Sequence, residues 1–347
     1  MLEFSTLLGS FTQATRLLRL NTALGPDVLL AECVRGEEAI CSPYTFTISA
    51  LSLDASISLR SLLGKPALLE LLTTTFGAPR AFHGYITAAE ACGSDGGMSR
   101  YKLTLQPWTV FAGLGRDSRV FHDKTVIEIL ETVFAAYRLS GKLAPAWRFE
   151  LEDVSVYPKR SLTTQYQESN WAFAERLMSE EGLFYYFEQE GDSASPGLGV
   201  HTLVIADHNA AFQPNARAAV RYTQPGAVMK EDSMDRWRSE IKLQANAVEL
   251  QSWDYRTLGS RPVSAMGTQN DWPTLTSRDM PGAYAYPNRS QGQRMAAKRS
   301  ALLSRRDWYL SSAKLLTSTT QSSPCSLCTI AKGQKRRPRR SSTLCWR

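Results

Sequence analysis

The run Gln165–Phe187, QYQESNWAFAERLMSEEGLFYYF, decides how this chain folds. It reads as one helix followed directly by one strand. Ser169 and Asn170 are residues whose side chains accept hydrogen bonds from the free N–H groups of a first helical turn. Trp171, Ala174, Leu177 and Met178 recur at helical spacing and form one apolar stripe. Gly182 ends the helix, because the left-handed residue that closes a C-terminus is cheapest for glycine. Leu183–Phe187 is then a short aromatic strand, too short for a membrane span and too apolar for a loop. Ser161–Gln165 reads as a strand leading into the pair.

Glu180 and Glu181 oppose this local logic. They occupy the last helical turn, where the macrodipole disfavours negative charge by roughly 0.3–1 kcal/mol each. Either they form a solvated, screened turn, or they meet basic groups from a neighbouring module or chain.

Working outward, residues 16–53 hold three candidate strands, RLLRL, DVLLAECVRG and YTFTISALS, broken at Gly25-Pro26 and Ser42-Pro43. SLRSLLG (58–64) is a short helix. ALLELLTTTF, RAFHGYITAAE and SRYKLTLQPW add three strands, with Gly93–Gly97 as a hairpin loop. Six strands at this spacing predict a closed or nearly closed barrel over residues 1–108. Residues 109–223 are mixed: an amphipathic helix over Thr125–Tyr137 with Asp123 as its expected N-cap, then the opening helix–strand pair, then a strand at GVHTLVIAD after the loop GDSASPGLG. Residues 224–309 return to β character, with Ser239–Arg256 as one long strand or a bent pair and a helix at Ser290–Arg306.

Composition is that of an ordinary globular protein, and 347 residues accommodate two or three domains. The N-terminus, MLEFSTLLGSF, carries Glu3 and no basic start, so it does not read as a secretory signal. No apolar run approaches the ~20 residues of a membrane helix. Six cysteines, with 33, 41 and 92 isolated, do not make a disulfide framework for a chain this size. The net charge of +7 hides an asymmetry: residues 1–290 carry 27 Lys and Arg against 32 Asp and Glu, and residues 291–347 carry 13 against one.

These segments together resemble the VgrG family, the tip or spike proteins of bacterial type VI secretion, also known as Rhs element Vgr proteins. Beside the opening run, Ser42–Leu71 looks like the family's first barrel and Phe82–Glu90 with Ser99–Trp108 like its continuation. Phe121–Phe134 looks like the next helix, and PGAYAY (Pro281–Tyr286) resembles the lead into the last helix of the hub. The match runs in the family's order from about residue 12 to about residue 306. It implies a β-rich α+β, phage baseplate hub-like fold, with two β-barrel tube modules flanking a mixed middle module.

Residues 310–347 depart from that pattern. They lose periodicity and are rich in Ser, Arg and Cys, so they are expected to form a basic, disordered or aberrant tail. Three readings stand: translation out of frame, a basic arm binding nucleic acid through Lys335–Arg340, or an ordered segment without a readable pattern. The strands that would close the second barrel, and the needle that follows a family hub, are not recognisable, so the sequence reads as a truncated form. An open second barrel is expected to assemble poorly.

No enzymatic constellation emerges. Cys325 and Cys328 form a CxxC, but a zinc site needs four ligands, and His83, His122, His201 and His208 lie far upstream. Asp207-His208-Asn209 follows a strand, where these are ordinary turn residues. His122 with Asp123 fits a helix cap better than a catalytic pair. No GxSxG, HExxH, P-loop or Rossmann glycine pattern occurs. Catalytic, cofactor-binding and metal residues are therefore expected to be absent, with no cofactor and no small-molecule substrate.

The resemblance implies a structural hub: a homotrimer whose six barrels match a hexameric tube protein beneath, carrying secreted effectors. It further implies cytoplasmic assembly and export by type VI secretion without a signal peptide. Three alternatives remain: a contractile phage or prophage baseplate hub, a nucleic-acid-binding protein acting through its tail, and an unrecognised hydrolase. Nucleic acid is not an expected partner of the body, which lacks aromatic stripes interleaved with basic residues.

Overall fold

A computed structural model describes residues 12–329 apart from 73–78, 96, 139–142, 213–220, 223–232, 242, 244, 268–272, 284, 287, 307 and 317–325; at 95, 221–222, 233–241, 283, 301–306, 308–316 and 326–329 it describes the main chain.

The strict alternation of Ser42–Ser52 puts Tyr44, Phe46, Ile48 and Ala50 on one buried face. This strand, β3, belongs to a six-stranded antiparallel sheet with β1 (Leu18–Thr22), β2 (Leu30–Ala39), β4 (Pro66–Leu71), β5 (Arg80–Asp95) and β6 (Met98–Gln106). Their order is β1-β4-β5-β6-β3-β2, and the two edge strands lie against each other, so the sheet curls into a nearly closed barrel. Helix α1 (Leu59–Leu62) sits between β3 and β4. Gly36 is required inside the barrel, because a Cβ there would come within 2.2 Å of the Phe46 ring. The outer edge of β1 is closed by a side chain: Gln13 accepts from Leu20 N–H and donates to Leu20 O. The exchange occupies the groups that Leu20 would otherwise offer to a stray strand.

Residues 109–212 supply α2 (Thr109–Leu114), β7 (Asp117–Lys124), α3 (Val126–Arg138), β8 (Ala146–Glu150), β9 (Arg160–Glu168), α4 (Asn170–Glu181), β10 (Phe184–Gly191) and β11 (Gly199–Ala206). The sheet order is β10-β11-β8, with β7 and β9 paired separately. The expected cap of α3 needs correction. Asp123 lies within β7 at φ 50°, and the cap is Thr125, whose hydroxyl accepts from Glu128 N–H while the Glu128 carboxylate accepts from Thr125 N–H. This Thr-x-x-Glu exchange satisfies two orphan donors at once, which Asp123 is two residues too early to do. Around α4 the sequence reading holds: Ser169 accepts from Ala172 N–H, and Gly182 takes the left-handed conformation at φ 75°.

The aromatic strand β10 is apolar on both faces because both are covered. Tyr185 and Phe187 join the core that fills the barrel and continues between α3 and α4, whereas Phe184 and Tyr186 join Val204, Ala206 and Ala211 on the other side. The barrel and the middle module thus share one continuous core.

The remaining elements are β12 (Arg221–Tyr222), β13 (Ser233–Ile241), β14 (Ala247–Asp254), β15 (Gly259–Met266), β16 (Thr276–Ala283), α5 (Arg289–Arg306), β17 (Trp308–Leu316) and β18 (Ser326–Thr329). They form two sheets, β15-β14-β16 and β12-β13-β17-β18. The stretch Ser239–Arg256 is a bent pair: β13 and β14 enter different sheets. Tyr286, from PGAYAY, pins α5 to this region. Its hydroxyl donates to Arg261 O and accepts from Ser252 N–H. Gly292 lets the helix lie on that ring, since a Cβ there would meet it at 2.6 Å.

Within the stretch after residue 310, where the sequence loses periodicity, the described residues are strand. β17 pairs antiparallel with β13, and β18 with β17. The pairing is made by main-chain groups along the free edge of β13, which demand partners whatever the side-chain pattern. Residues 330–347, including Lys335–Arg340, lie outside the described residues.

Candidate functional site

The chemistry-bearing side chains gather at two seams between modules. The first joins the barrel to the β10–β11 hairpin. Gly191 packs its main chain on β4 and β5, where an added Cβ would come within 2.8 Å of both Ala81 and Leu68. Gln189 accepts from His83 N–H at 2.8 Å and donates to Glu38, which pairs with Arg80. Beneath them His83 Nδ1 and His201 Nδ1 stand 2.9 Å apart, both rings buried. The protons follow from one fixed donor. Trp108 N–H donates to Nε2 of His201, so that histidine carries its proton on Nδ1 and gives it to Nδ1 of His83. His83 then carries its proton on Nε2, which donates to Gly197 O at 2.9 Å. Burial pushes the pKa of each ring below the ordinary histidine value, and for His201 the neighbouring His83 adds to it.

The second seam joins α4 to α5. Arg160, on β9, donates to both Glu180 and Glu181 at 2.7 Å. Lys298, on α5, meets the other oxygen of Glu181 at 3.2 Å and lies 4.5 Å over the ring of Tyr157. Arg176 completes the row with Glu168 and Glu180. Burial alone would raise the Glu181 carboxyl, but Arg160, then Lys298, outweigh it and hold it below its usual value. The two acids that strain the helix dipole therefore meet basic groups from an adjacent strand and from the last helix, and are not a merely solvated turn.

The motifs weighed from sequence do not converge. Asp207 accepts from the Tyr157 hydroxyl and from Glu152 N–H. His208 precedes a 3-10 turn begun by the exposed Asn209. His122 is exposed on β7. Cys325 lies outside the described residues, and only the main chain of Cys328, in β18, is described. Among the described residues no group of three His, Cys, Asp or Glu side chains is placed to hold a metal, and no helix is long and apolar enough to cross a membrane. Sequence reasoning missed the His83–His201 pair. The signal was faint: FHGYI (82–86) has a histidine in an otherwise apolar strand, but its partner lies on another strand 118 residues away. On the outward face of the β7–β9 ribbon, Val120, Leu162 and Tyr166 are 52, 57 and 70% exposed, enough to offer an apolar contact surface.

A β barrel fused through its core to a mixed module and followed by further paired sheets defines a hub scaffold. A family model described as the phage tail baseplate hub (GPD) matches residues 37–309, and this chain belongs to that family. It is 29% identical over 282 residues to the type VI secretion system spike protein VgrG1b of Pseudomonas aeruginosa, covering 79% of this chain and 36% of that protein. To VgrG5 of the same organism it is 31% identical over 260 residues, 74% of this chain and 31% of that protein. The chain thus spans about a third of these curated relatives' length. Among solved structures it resembles a tail protein from Neisseria meningitidis MC58, with a TM-score of 0.55 at 13% identity over 90% of this chain and 86% of that one. It also resembles an E. coli component of the type VI secretion system, with a TM-score of 0.52 at 16% identity over 89% and 76%. At such identities the likeness concerns the fold.

Proposed function

We propose that this chain is the hub of a type VI secretion spike and works as a mechanical part. Three copies present their barrels as a ring on a hexameric tube protein and carry effectors out with the tube. On this reading residues 1–108 are the first barrel, 109–223 the middle module and 224–309 the second barrel. The hub is assembled in the cytoplasm and leaves with the contracting machine, and its task is to bear load rather than to perform a reaction. The observation that carries the reading is the family match over residues 37–309, joined to relatives that are themselves spike proteins. The shared core supports it, since close-packed side chains transmit strain from one module to the next.

Two measurements test it. Light scattering on the purified chain should give the mass of three copies, against the poor assembly expected of an open barrel, because β17 and β18 cover the edge of β13; a monomer would overturn the trimer. The chain should appear in the medium of producing cells and vanish from it when the contractile sheath gene is deleted. A second reading, the hub of a contractile phage tail, is favoured by the similarity to the Neisseria tail protein. It would be supported instead by cosedimentation with phage particles independent of that sheath.

A further inference from the structure

The His83–His201 pair does something that a purely structural contact does not. Its four ring nitrogens form a single proton-directed line, from Trp108 N–H through His201 and His83 to Gly197 O. Only one arrangement of protons satisfies all of these contacts. A proton added at Nδ1 of His83 would face the proton on Nδ1 of His201. One added at Nε2 of His201 would face the N–H of Trp108. Either breaks a bond of the line among buried rings, where an unpaired charge is costly. The line is also a polar bridge across a seam, beside the one made by Gln189: His83 and Trp108 belong to the barrel and its exit, while His201 and Gly197 belong to the β10–β11 hairpin. We propose that the pair is an acid-sensitive latch, and that proton uptake by the two histidines releases the hairpin from the first barrel.

The surroundings do not relieve an added charge. Tyr44 from β3 donates its hydroxyl to His83 O, and Tyr85 from β5 lies edge-on to both rings, accepting from Ala144 N–H. Both phenols are held neutral, their pKa values raised by burial. Phe187 from β10 packs against His201. Glu38 from β2 reaches the site only through Gln189 and is already paired with Arg80. The sign follows: the folded pKa values lie below the ordinary value of about 6.5, so the docked state is fully favoured above that pH and loses ground as pH falls below it. With two protons taken up, the open-to-docked ratio rises by up to ~100-fold per pH unit. The latch does not depend on the hub reading, since it rests on this chain's own seam.

Hydrogen exchange on the full chain between pH 8 and pH 5, corrected for the intrinsic chemical rate, tests it. Segments 82–86 and 197–206 should open steeply below about pH 6.5 while α3, residues 126–138, changes far less. Equal change in all three would overturn the latch, as would none in any. The variant His83→Gln/His201→Gln should lose the pH step, and His122→Gln/His208→Gln should keep it. Should the first variant fail to fold, imidazole NMR titration of the unaltered chain decides. Two rings that stay neutral until the hairpin opens sustain the proposal, and rings that titrate freely near 6.5 in the docked state sink it.

Discussion

The first barrel and the second β region are both built of paired strands but cohere by different means. In the barrel, large side chains close on one another: Phe46 lies 4.6 Å from Phe82 and 5.5 Å from Tyr44, inside a core that runs on to Leu203 and Ile205. The described core of the second region is Val248, Leu250, Val263, Tyr286 and Ala296, and much of its cohesion is polar. Tyr286 bridges Ser252 and Arg261, Arg261 pairs with Asp254, and Lys298 reaches across to Glu181. Non-directional burial tolerates small displacements, whereas hydrogen bonds and ion pairs require fixed geometry. Among the described side chains, the contrast teaches that polar groups meeting fixed partners supplement a small apolar core in the second region.

The comparison can be broken most directly at Phe46. Phe46→Ala should cost about 3–5 kcal/mol in denaturant unfolding, because it opens a cavity in the shared core. A small cost would mean that the barrel is not the cohesive half. Arg160→Met should come next, at about 3 kcal/mol, by leaving Glu181 buried with only Lys298 as partner. Because Glu181 titrates below its usual value, its contribution is present above the ordinary glutamate pKa of about 4.3 and is lost as pH falls through the folded value. Acid titration of stability should therefore lose this component in the variant. Tyr286→Phe should cost about 1–3 kcal/mol, with faster amide exchange in residues 247–306 and none in 18–206. The smallest test separates neighbours: Thr125→Ala should destabilise α3 by about 1 kcal/mol, while Asp123→Asn should stay within about 0.5 kcal/mol, both read from thermal unfolding.

The legible part of this fold was local. Ser169, the stripe from Trp171 to Met178 and Gly182 announce α4 because cap, face and stop lie within fourteen residues of one another. The barrel strands were readable for the same reason, since one strictly alternating face needs no knowledge of the partner strand. The Thr125-x-x-Glu128 box is equally local, and the expectation of Asp123 as the cap overlooks it. Two features could not be read because their causes lie elsewhere. β17 exists because β13 has an edge to pair, a main-chain property invisible to periodicity. The polarity of His83 makes sense only once His201 is set beside it. At the second seam the sequence showed that Glu180 and Glu181 were out of place but not that Arg160 and Lys298 would claim them.

Strand β10 divides two apolar clusters with a wall one residue thick. Tyr185 and Phe187 face the large one, and Phe184 and Tyr186 face the small one. The four aromatic residues Phe184–Phe187 are the boundary of both. A release of the hairpin therefore disturbs both sides at once, and the smaller compartment responds to events in the barrel although Phe184 and Tyr186 face away from it.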